Sequence, residues 1–264
     1  MKKIFTFIFI LCSYYSFTQD SGLSNKKEYA GSNGKMLPYR ILYPEQYDKS
    51  KKYPLVLFLH GAGERGNDNE KQLTHGSTLF TADSNRKKFP CIVVFPQCPT
   101  DSSWTSVTID RSKTPLLFHF DYTAPETWPL KTAIELVKKI ATEEGVDKSR
   151  LYITGLSMGG MGTFEAEYRY PGIFAAAMPI CGGGDTTHYD KRIERTSFWI
   201  FHGDSDAVVN VEESRAMVRK LQSLHVDVKY TEYPGVNHNS WDNAFAEPTF
   251  LSWMFAHKRN NVKL

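Results

Sequence analysis

The sequence predicts an α/β fold with a mostly parallel central sheet flanked by helices on both faces. Continuous apolar runs, such as residues 55–59 and 90–95, are typical of strands that are covered on both faces. Helical patterns lie between such runs, as in residues 130–143, where apolar side chains recur at helical spacing until Gly145. Because strands and helices alternate without an internal repeat, we expect parallel pairing.

The other elements follow in chain order. The polar segment 20–34 is predicted as a leading strand or a loose arm, and residues 36–43 as an edge strand, because Pro38 is tolerated only there. Residues 74–85 are predicted as a helix or surface loop, and residues 105–128 as an excursion over a pocket. Further along the chain we predict strands at 174–180, 196–201 and 226–233, and helices at 211–224 and 248–257.

The amino terminus resembles an export signal. Lys2 and Lys3 precede a short apolar run, and small residues follow near a cleavage point before Gln19. The run is too short to span a membrane stably, and a lipid anchor on Cys12 is disfavoured because Leu11 stands where a small residue is needed. We therefore predict a signal peptide at residues 1–18, a single domain at residues 19–264, and a periplasmic or extracellular protein without a stable membrane anchor.

Composition and charge exclude some partners. The chain has 264 residues, of which 41% are hydrophobic and 23% charged, as in ordinary globular proteins. Loss of Lys2 and Lys3 with the signal would lower the formal net charge from +3 to +1. We therefore expect no nucleic-acid partner. Nor does the sequence show a metal-ligand spacing, so no metal and no cofactor is predicted.

Three cysteines remain after the predicted cleavage: Cys91, Cys98 and Cys181. Export permits a disulfide bond, but the odd number leaves at least one thiol free within a chain. Cys98 and Cys181 both follow predicted strands that end near the same rim. A Cys98–Cys181 bridge is therefore one hypothesis, and free thiols are the alternative.

A G-x-S-x-G sequence, Gly155 to Gly159, follows the apolar strand that begins at Leu151 and precedes a predicted helix. A sharp strand-to-helix turn of this kind lifts its serine, Ser157, onto an exposed apex. The free N–H groups of the helix start, that of Met158 among them, favour the negative charge that develops when a carbonyl group is attacked. We interpret Ser157 as a nucleophile.

A second glycine-rich loop, residues 60–66, follows the buried strand 55–59. Its backbone can approach a ligand closely, and we predict that the N–H of Ala62 joins that of Met158 in an oxyanion hole. A tight turn of no chemical interest is the alternative. Gly61 and Glu64 are candidate substrate contacts in the same loop. Trp104 is either a wall of the substrate pocket or a packing residue.

A serine nucleophile needs a base, and the base needs an acid that fixes its tautomer. His238 follows the last predicted strand in a Pro-Gly loop, which places it after the serine and after an acidic loop. Asp206 is the predicted acid, and Asp204 is its main rival. Asp185 and Glu232 are weaker candidates.

Four motifs together resemble the α/β-hydrolase superfamily: LHGAGERG at residues 59–66, GLSMG at 155–159, HGDSD at 202–206 and YPGVNH at 233–238. More narrowly, the chain is similar to secreted bacterial esterases grouped with polyhydroxybutyrate depolymerases, feruloyl esterases and acetylxylan esterases, some of which are labelled predicted peptidases. The similarity runs from about residue 36 to residue 257. Family members often have a proline after the valine of the acid loop, where this chain has Val209-Asn210.

The resemblance implies an α/β-hydrolase fold with Ser157 as nucleophile, Asp206 as acid and His238 as base, and with Ala62 and Met158 as oxyanion donors. It also implies a serine esterase that acts through an acyl-enzyme on small-molecule or polysaccharide esters, with feruloyl or acetyl side groups of plant polysaccharides as the expected substrates. Two alternatives remain open. One is a serine peptidase, amidase or broad short-chain carboxylesterase, and the other is a catalytically silent carbohydrate-binding protein.

Overall fold

The computed structural model describes residues 23 and 25–259. The predicted signal peptide and Cys12 lie outside these described residues. The strands are β1 (Lys27–Ala30), β2 (Met36–Leu42), β3 (Tyr53–Leu59), β4 (Ile92–Pro96), β5 (Val107–Asp110), β6 (Leu117–Phe120), β7 (Val146–Leu156), β8 (Ala176–Ile180), β9 (Ser197–Gly203) and β10 (Val228–Tyr233). The helices are α1 (Ser77–Thr81), α2 (Asp83–Lys88), α3 (Trp128–Glu143), α4 (Met158–Arg169), α5 (Val211–Ser223), α6 (Ser240–Ala246) and α7 (Phe250–Ala256). Short 3₁₀ turns occupy Ala62–Glu64, Lys71–Leu73 and Lys191–Ile193.

Eight strands form the central sheet in the order β1-β2-β4-β3-β7-β8-β9-β10, and β5 and β6 form a separate antiparallel hairpin. The six neighbouring strands β4, β3, β7, β8, β9 and β10 pair in parallel, whereas β1 pairs antiparallel with β2 and β2 antiparallel with β4. The parallel strands β3, β4 and β8 contain no exposed residue, as their continuous apolar sequences predict. The prediction of a mostly parallel sheet is confirmed.

Helices cover both faces of this sheet because successive side chains of a strand point to opposite sides. From β3, Leu55, Leu57 and Leu59 pack in a core with α3, α4 and α5. Val56 and Phe58 of the same strand pack in a second core with α1, α6 and α7. The predicted arrangement of helices on both faces is therefore confirmed. Among the described residues, no helix is long and apolar enough to cross a bilayer.

The structure corrects the prediction for the edge of the sheet. The leading segment forms β1, so β2 lies between β1 and β4 and is not an edge strand. The carbonyl group of Pro38 accepts a hydrogen bond from the N–H of Gln97 at 2.8 Å, one residue beyond the end of β4. The N–H that proline lacks would face the same side, so its absence falls where the β2–β4 pairing ends. Residues 74–85 contribute to two short helices, α1 and α2, and the segment predicted as the last helix is preceded by α6.

The disulfide hypothesis is wrong for this structure. Cys91, Cys98 and Cys181 are all free and buried. Cys98 packs in the core under α3 and α4, whereas Cys181 packs in the core on the opposite face of the sheet. The sheet therefore separates the two thiols, although both follow strands that end at the same edge.

Helix α4 is buried almost throughout and carries two carboxylates, Glu165 and Glu167, that have no exposed surface. Glu167 accepts one hydrogen bond, from the Thr196 hydroxyl at 3.1 Å, and its second oxygen has no partner. Burial raises the pKa of Glu167 to about 8, against the opposing effects of the Thr196 hydrogen bond and the Arg259 charge.

Glu167→Gln is expected to stabilise the protein at pH 8 to 9 and to leave its stability nearly unchanged at pH 5. The pKa of Glu167 is higher in the folded state than in the unfolded chain, so its contribution to stability is complete below the unfolded pKa and is lost as the pH rises through about 8. Glutamine mimics the protonated acid and removes this loss. Melting temperatures measured from pH 5 to 9 test the expectation, with the exposed Glu28→Gln as control. Parallel curves for wild type and Glu167→Gln would contradict it.

Candidate active site

Ser157 is the single residue between strand β7, which ends at Leu156, and helix α4, which begins at Met158. Its backbone has φ 54° and ψ −117°, a conformation that non-glycine residues adopt rarely. Two hydrogen bonds hold it there: the Ser157 N–H donates to Ile180 O at 2.9 Å, and Ser157 O accepts from the Met161 N–H at 2.9 Å. The strained turn directs the hydroxyl away from the sheet and into a cavity that Ser157 lines.

The two glycines of G-x-S-x-G are required by close backbone contacts. A Cβ atom at Gly155 would lie 2.5 Å from the carbonyl oxygen of Gly159, and one at Gly159 would lie 2.0 Å from that of Leu59. Both distances are far below a van der Waals contact. The serine strand, its helix and β3 therefore approach one another as closely as they do only because these positions lack side chains.

Ser157, His238 and Asp206 form one continuous chain of hydrogen bonds. Ser157 Oγ lies 3.0 Å from His238 Nε2, and His238 Nδ1 lies 2.7 Å from Asp206 Oδ2. Asp206 follows β9 and His238 follows β10, so neighbouring parallel strands carry both loops to the edge of the sheet where β7 presents Ser157. Because Nδ1 faces a carboxylate, it carries the proton, and Nε2 is free to accept one from the serine.

Asp206 is fixed as a carboxylate by its surroundings. Its Oδ1 accepts hydrogen bonds from the N–H groups of Val208 and Val209 at 2.8 and 2.9 Å. Burial alone would raise the pKa of Asp206, but hydrogen bonds from His202 and His238 and the charge of His238 hold this pKa well below its usual range. Asp206 therefore remains ionised and can stabilise a positively charged His238.

The rival acid, Asp204, lies elsewhere. Its exposed carboxylate accepts hydrogen bonds from the Gly235 N–H at 2.7 Å and from the Ser205 hydroxyl at 2.9 Å. It thereby ties the loop after β9 to the loop after β10, but it is Asp206 that contacts His238. The weaker candidates are also engaged elsewhere: Asp185 with His188, and Glu232 with Arg215.

Sequence reasoning missed His202, the last but one residue of β9. Its fully buried ring places Nε2 3.2 Å from Asp206 Oδ2 and 3.0 Å from the carbonyl oxygen of Val209, and Nδ1 2.7 Å from Ser214 Oγ. Both neighbours of Nε2 are acceptors, so this nitrogen carries a proton and donates it to Asp206 and the Val209 carbonyl group together. The position of His202 at a strand end, four residues before Asp206, was the available signal.

The glycine-rich loop lies opposite Ser157. Ala62 begins a 3₁₀ turn after β3, Met158 begins α4, and both line the same cavity. The backbone N–H groups of Ala62 and Met158 are the first of their helices, so neither has a hydrogen-bond acceptor within its own helix. Gly61 also lines the cavity, and a Cβ there would lie 2.8 Å from Leu156, so this loop packs directly against the residue before Ser157.

His60 supports the loop from below, as its position before the glycines indicates. Its Nδ1 lies 2.7 Å from Gly61 O, and its Nε2 accepts a hydrogen bond from the Cys98 N–H at 2.9 Å. Burial lowers the pKa of His60 to about 4, so the ring is neutral at ordinary pH. A neutral ring with one donor and one acceptor satisfies both contacts.

The structure corrects one of the candidate substrate contacts. Trp104 is fully buried, and its indole N–H donates to His60 O at 3.1 Å. It is a packing residue under the loop rather than a pocket wall, and the neighbouring Ser103 lines the cavity instead. Glu64 does line the cavity, with one carboxylate oxygen 3.7 Å from His75 Nε2 and the other buried without a hydrogen-bond partner.

The cavity at Ser157 has a volume of about 380 Å³. The β5–β6 hairpin forms one wall through Val107, Ile109, Leu116 and Phe118, and α4 contributes Met161. These side chains belong to a small apolar cluster of their own. The excursion that the sequence predicts over the pocket is therefore this hairpin, and it gives the pocket an apolar wall.

Within the described part of the chain, one group of side chains has the composition of a metal site: Cys181, Asp206 and His238, whose ligand atoms lie within 4.8 Å of one another. Burial raises the pKa of the Cys181 thiol, and the charge of Asp206 acts in the same direction. A protonated thiol is a weak metal ligand. Asp206 and His238 are already hydrogen-bonded to each other, so we interpret the group as part of the serine site.

Residues 46–251 match the model of the phospholipase/carboxylesterase family. A thermostable esterase of known crystal structure is 38% identical, with a TM-score of 0.80, over 89% of this chain and 63% of that one. A CE1 ferulic acid esterase from Anaeromyces mucronatus, solved in complex with ferulic acid, is 18% identical with a TM-score of 0.61, over 87% of this chain and 91% of that one. The bifunctional acetylxylan esterase/xylanase XynS20E of Neocallimastix patriciarum is 29% identical over 187 residues, which are 69% of this chain and 24% of that protein.

The chain belongs to the phospholipase/carboxylesterase family and has the α/β-hydrolase fold, as its motifs predicted. It is a serine esterase, that is, a carboxylic ester hydrolase. It spans less than two thirds of the thermostable esterase and about a quarter of the bifunctional enzyme, and the likeness at 18% identity establishes the fold alone.

Proposed function

We propose that Ser157, His238 and Asp206 are the catalytic triad of this esterase. The observation that carries the proposal is the unbroken pair of contacts, 3.0 Å from Ser157 to His238 and 2.7 Å from His238 to Asp206, at the floor of the cavity. The strained backbone of Ser157 and the ionised state of Asp206 support the same roles.

In the proposed reaction, His238 Nε2 takes the proton of Ser157 Oγ as that oxygen attacks the ester carbonyl carbon. The negative charge on the carbonyl oxygen is stabilised by the N–H groups of Ala62 and Met158, and loss of one such donor typically lowers kcat by about 10²–10³-fold. His238 then protonates the leaving alcohol, and an acyl group remains on Ser157. Water, deprotonated by His238, attacks this acyl-enzyme and releases the acid.

The proposed substrates are esters on plant polysaccharides, with feruloyl or acetyl groups as the acyl part. An apolar cavity of about 380 Å³ has room for an aromatic acyl group. Two similar proteins are a ferulic acid esterase solved with ferulic acid and an acetylxylan esterase. We also propose that residues 19–264 form one domain that is exported after loss of residues 1–18, to the periplasm or the extracellular space.

The purified protein is expected to hydrolyse 4-nitrophenyl acetate and to release the acid from methyl ferulate or from acetylated xylan. We expect kcat/KM for matched peptide anilides to be at least about 100-fold lower, because the site would discriminate through its fit to the ester transition state. Faster cleavage of the anilides would favour the peptidase alternative. Binding of xylan without hydrolysis of any of these esters would favour the silent carbohydrate-binding alternative.

A further inference from the structure

The apolar wall of the cavity is an appendage to the central sheet. The β5–β6 hairpin pairs with no strand of that sheet. At its far end the Leu116 N–H donates to Val208 O at 3.0 Å, and at its base the Asp121 N–H donates to Ser106 O at 3.1 Å. Its position relative to Ser157 therefore depends on this contact at the far end, on apolar packing against Met161 and Val209, and on what holds the two chain segments at its base.

A single buried carboxylate holds the incoming segment. Glu165 of α4 has no exposed surface and accepts hydrogen bonds from the Thr105 hydroxyl at 2.7 Å, the Ser106 N–H at 2.5 Å and the Ser106 hydroxyl at 2.9 Å. These two residues directly precede β5. These hydrogen bonds offset the free-energy cost of removing the Glu165 carboxylate from water.

Glu165 also reaches the outgoing segment through an arginine. Its Oε1 accepts a hydrogen bond from Arg169 Nε at 2.6 Å, and the same guanidinium donates to Ala124 O at 2.9 Å, beyond the end of β6. The Glu165–Arg169 pair therefore connects both ends of the hairpin to one helix. That helix, α4, begins at Met158, directly after Ser157.

We propose that Glu165 is a positioning residue that sets the acyl-binding wall of the cavity, and thereby the preference of the enzyme for large apolar acyl groups. The proposal rests on the proposed esterase site at Ser157. Helix α4 carries the cavity residues Met158 and Met161 near its start and Glu165 two turns later. One rigid helix therefore fixes the distance between the nucleophile and the point where the hairpin is attached. The predicted effect is on acyl-chain selectivity and not on the chemical step, since Glu165 contacts none of the triad residues.

Glutamine cannot replace this carboxylate. In either orientation of its amide, the NH₂ group faces an N–H donor, that of Ser106 or that of Arg169, and neither can accept a hydrogen bond. Glu165→Gln therefore breaks one of the two connections. Glu167→Gln is the matched control: Glu167 lies on the same helix, is equally buried, and bonds to Thr196 rather than to the hairpin.

The test compares kcat and KM for 4-nitrophenyl hexanoate and 4-nitrophenyl acetate in wild type, Glu165→Gln and Glu167→Gln at pH 6.5. In Glu165→Gln we expect the hexanoate-to-acetate ratio of kcat/KM to fall at least about tenfold, mainly through a higher KM for hexanoate, as for the loss of an apolar pocket contact. We expect kcat for acetate to stay within about threefold of wild type. In Glu167→Gln the ratio should not change.

An unchanged ratio in Glu165→Gln, an equal fall for both esters, or an equal change in Glu167→Gln would overturn the proposal. If Glu165→Gln does not fold, Ser106→Ala removes one hydroxyl from the anchor and leaves the ion pair in place. The ratio should then fall by about threefold, and an unchanged ratio would again overturn the proposal. Wild-type protein that hydrolyses neither ester would instead refute the proposed function, so the two failures are distinguishable.

Discussion

Ser157→Ala is expected to lower kcat for 4-nitrophenyl acetate by about 10⁴–10⁶-fold, the scale seen when a triad serine is removed. The alanine variant keeps the backbone turn but has no oxygen to form an acyl-enzyme, so only the cavity and the oxyanion donors can act on the substrate. The backbone bonds of residue 157 to Ile180 and Met161 do not involve the hydroxyl. The melting temperature should therefore stay within a few degrees of wild type.

Ser205→Ala is the control for this experiment. Ser205 lies next to Asp206 in sequence, but its hydroxyl is exposed and donates to Asp204. Its replacement should leave kcat within about threefold of wild type, since it contacts neither the cavity nor His238. Wild-type activity in Ser157→Ala would exclude this serine as the nucleophile.

Asp206→Asn is expected to lower kcat by about 10⁴-fold, as the equivalent change does in a serine protease triad. The two backbone N–H groups of Val208 and Val209 will keep the amide oxygen at the Oδ1 position. The amide NH₂ group then faces His238 and favours the tautomer that is protonated at Nε2. That tautomer cannot accept the proton of Ser157. Steady-state kinetics, together with a melting curve for each variant, measures the effect.

Asp204→Asn separates the two acids that the sequence left as rivals. Asparagine retains the oxygen that accepts from the Gly235 N–H, so the loop connection should survive. We expect kcat within about threefold of wild type, because Asp204 does not contact His238. A larger loss in Asp204→Asn than in Asp206→Asn would reverse the assignment of the acid.

The sequence was sufficient for the sheet and for the candidates at its edge because both follow from local patterns. Buried parallel strands have continuous apolar sequences, and the loops after β3, β7, β9 and β10 must meet at one edge. In the structure, Ala62, Ser157 and His238 line one cavity, and Asp206 contacts His238 from behind. Their catalytic roles stay a proposal until the variants above are measured.

What the sequence could not provide depends on contacts between distant segments. The base of the hairpin wall is bonded to Glu165, about 60 positions from its partners Thr105 and Ser106, and no local pattern relates them. Trp104 looks the same in sequence whether it lines a pocket or packs beneath a loop, and only the bond to His60 O decides. Cys98 and Cys181 share a sheet edge but lie on opposite faces, which strand spacing alone does not reveal.

The central claim is that Ser157 is the residue that carries the acyl group, and covalent labelling tests it most directly. The protein would be treated with a fluorophosphonate probe, digested with trypsin and analysed by tandem mass spectrometry. Cleavage after Arg150 and Arg169 yields a peptide in which Ser157 is the only serine. We expect a single adduct on Ser157 whose formation parallels the loss of esterase activity. An adduct on another residue, or full activity after Ser157 has been labelled completely, would contradict the claim.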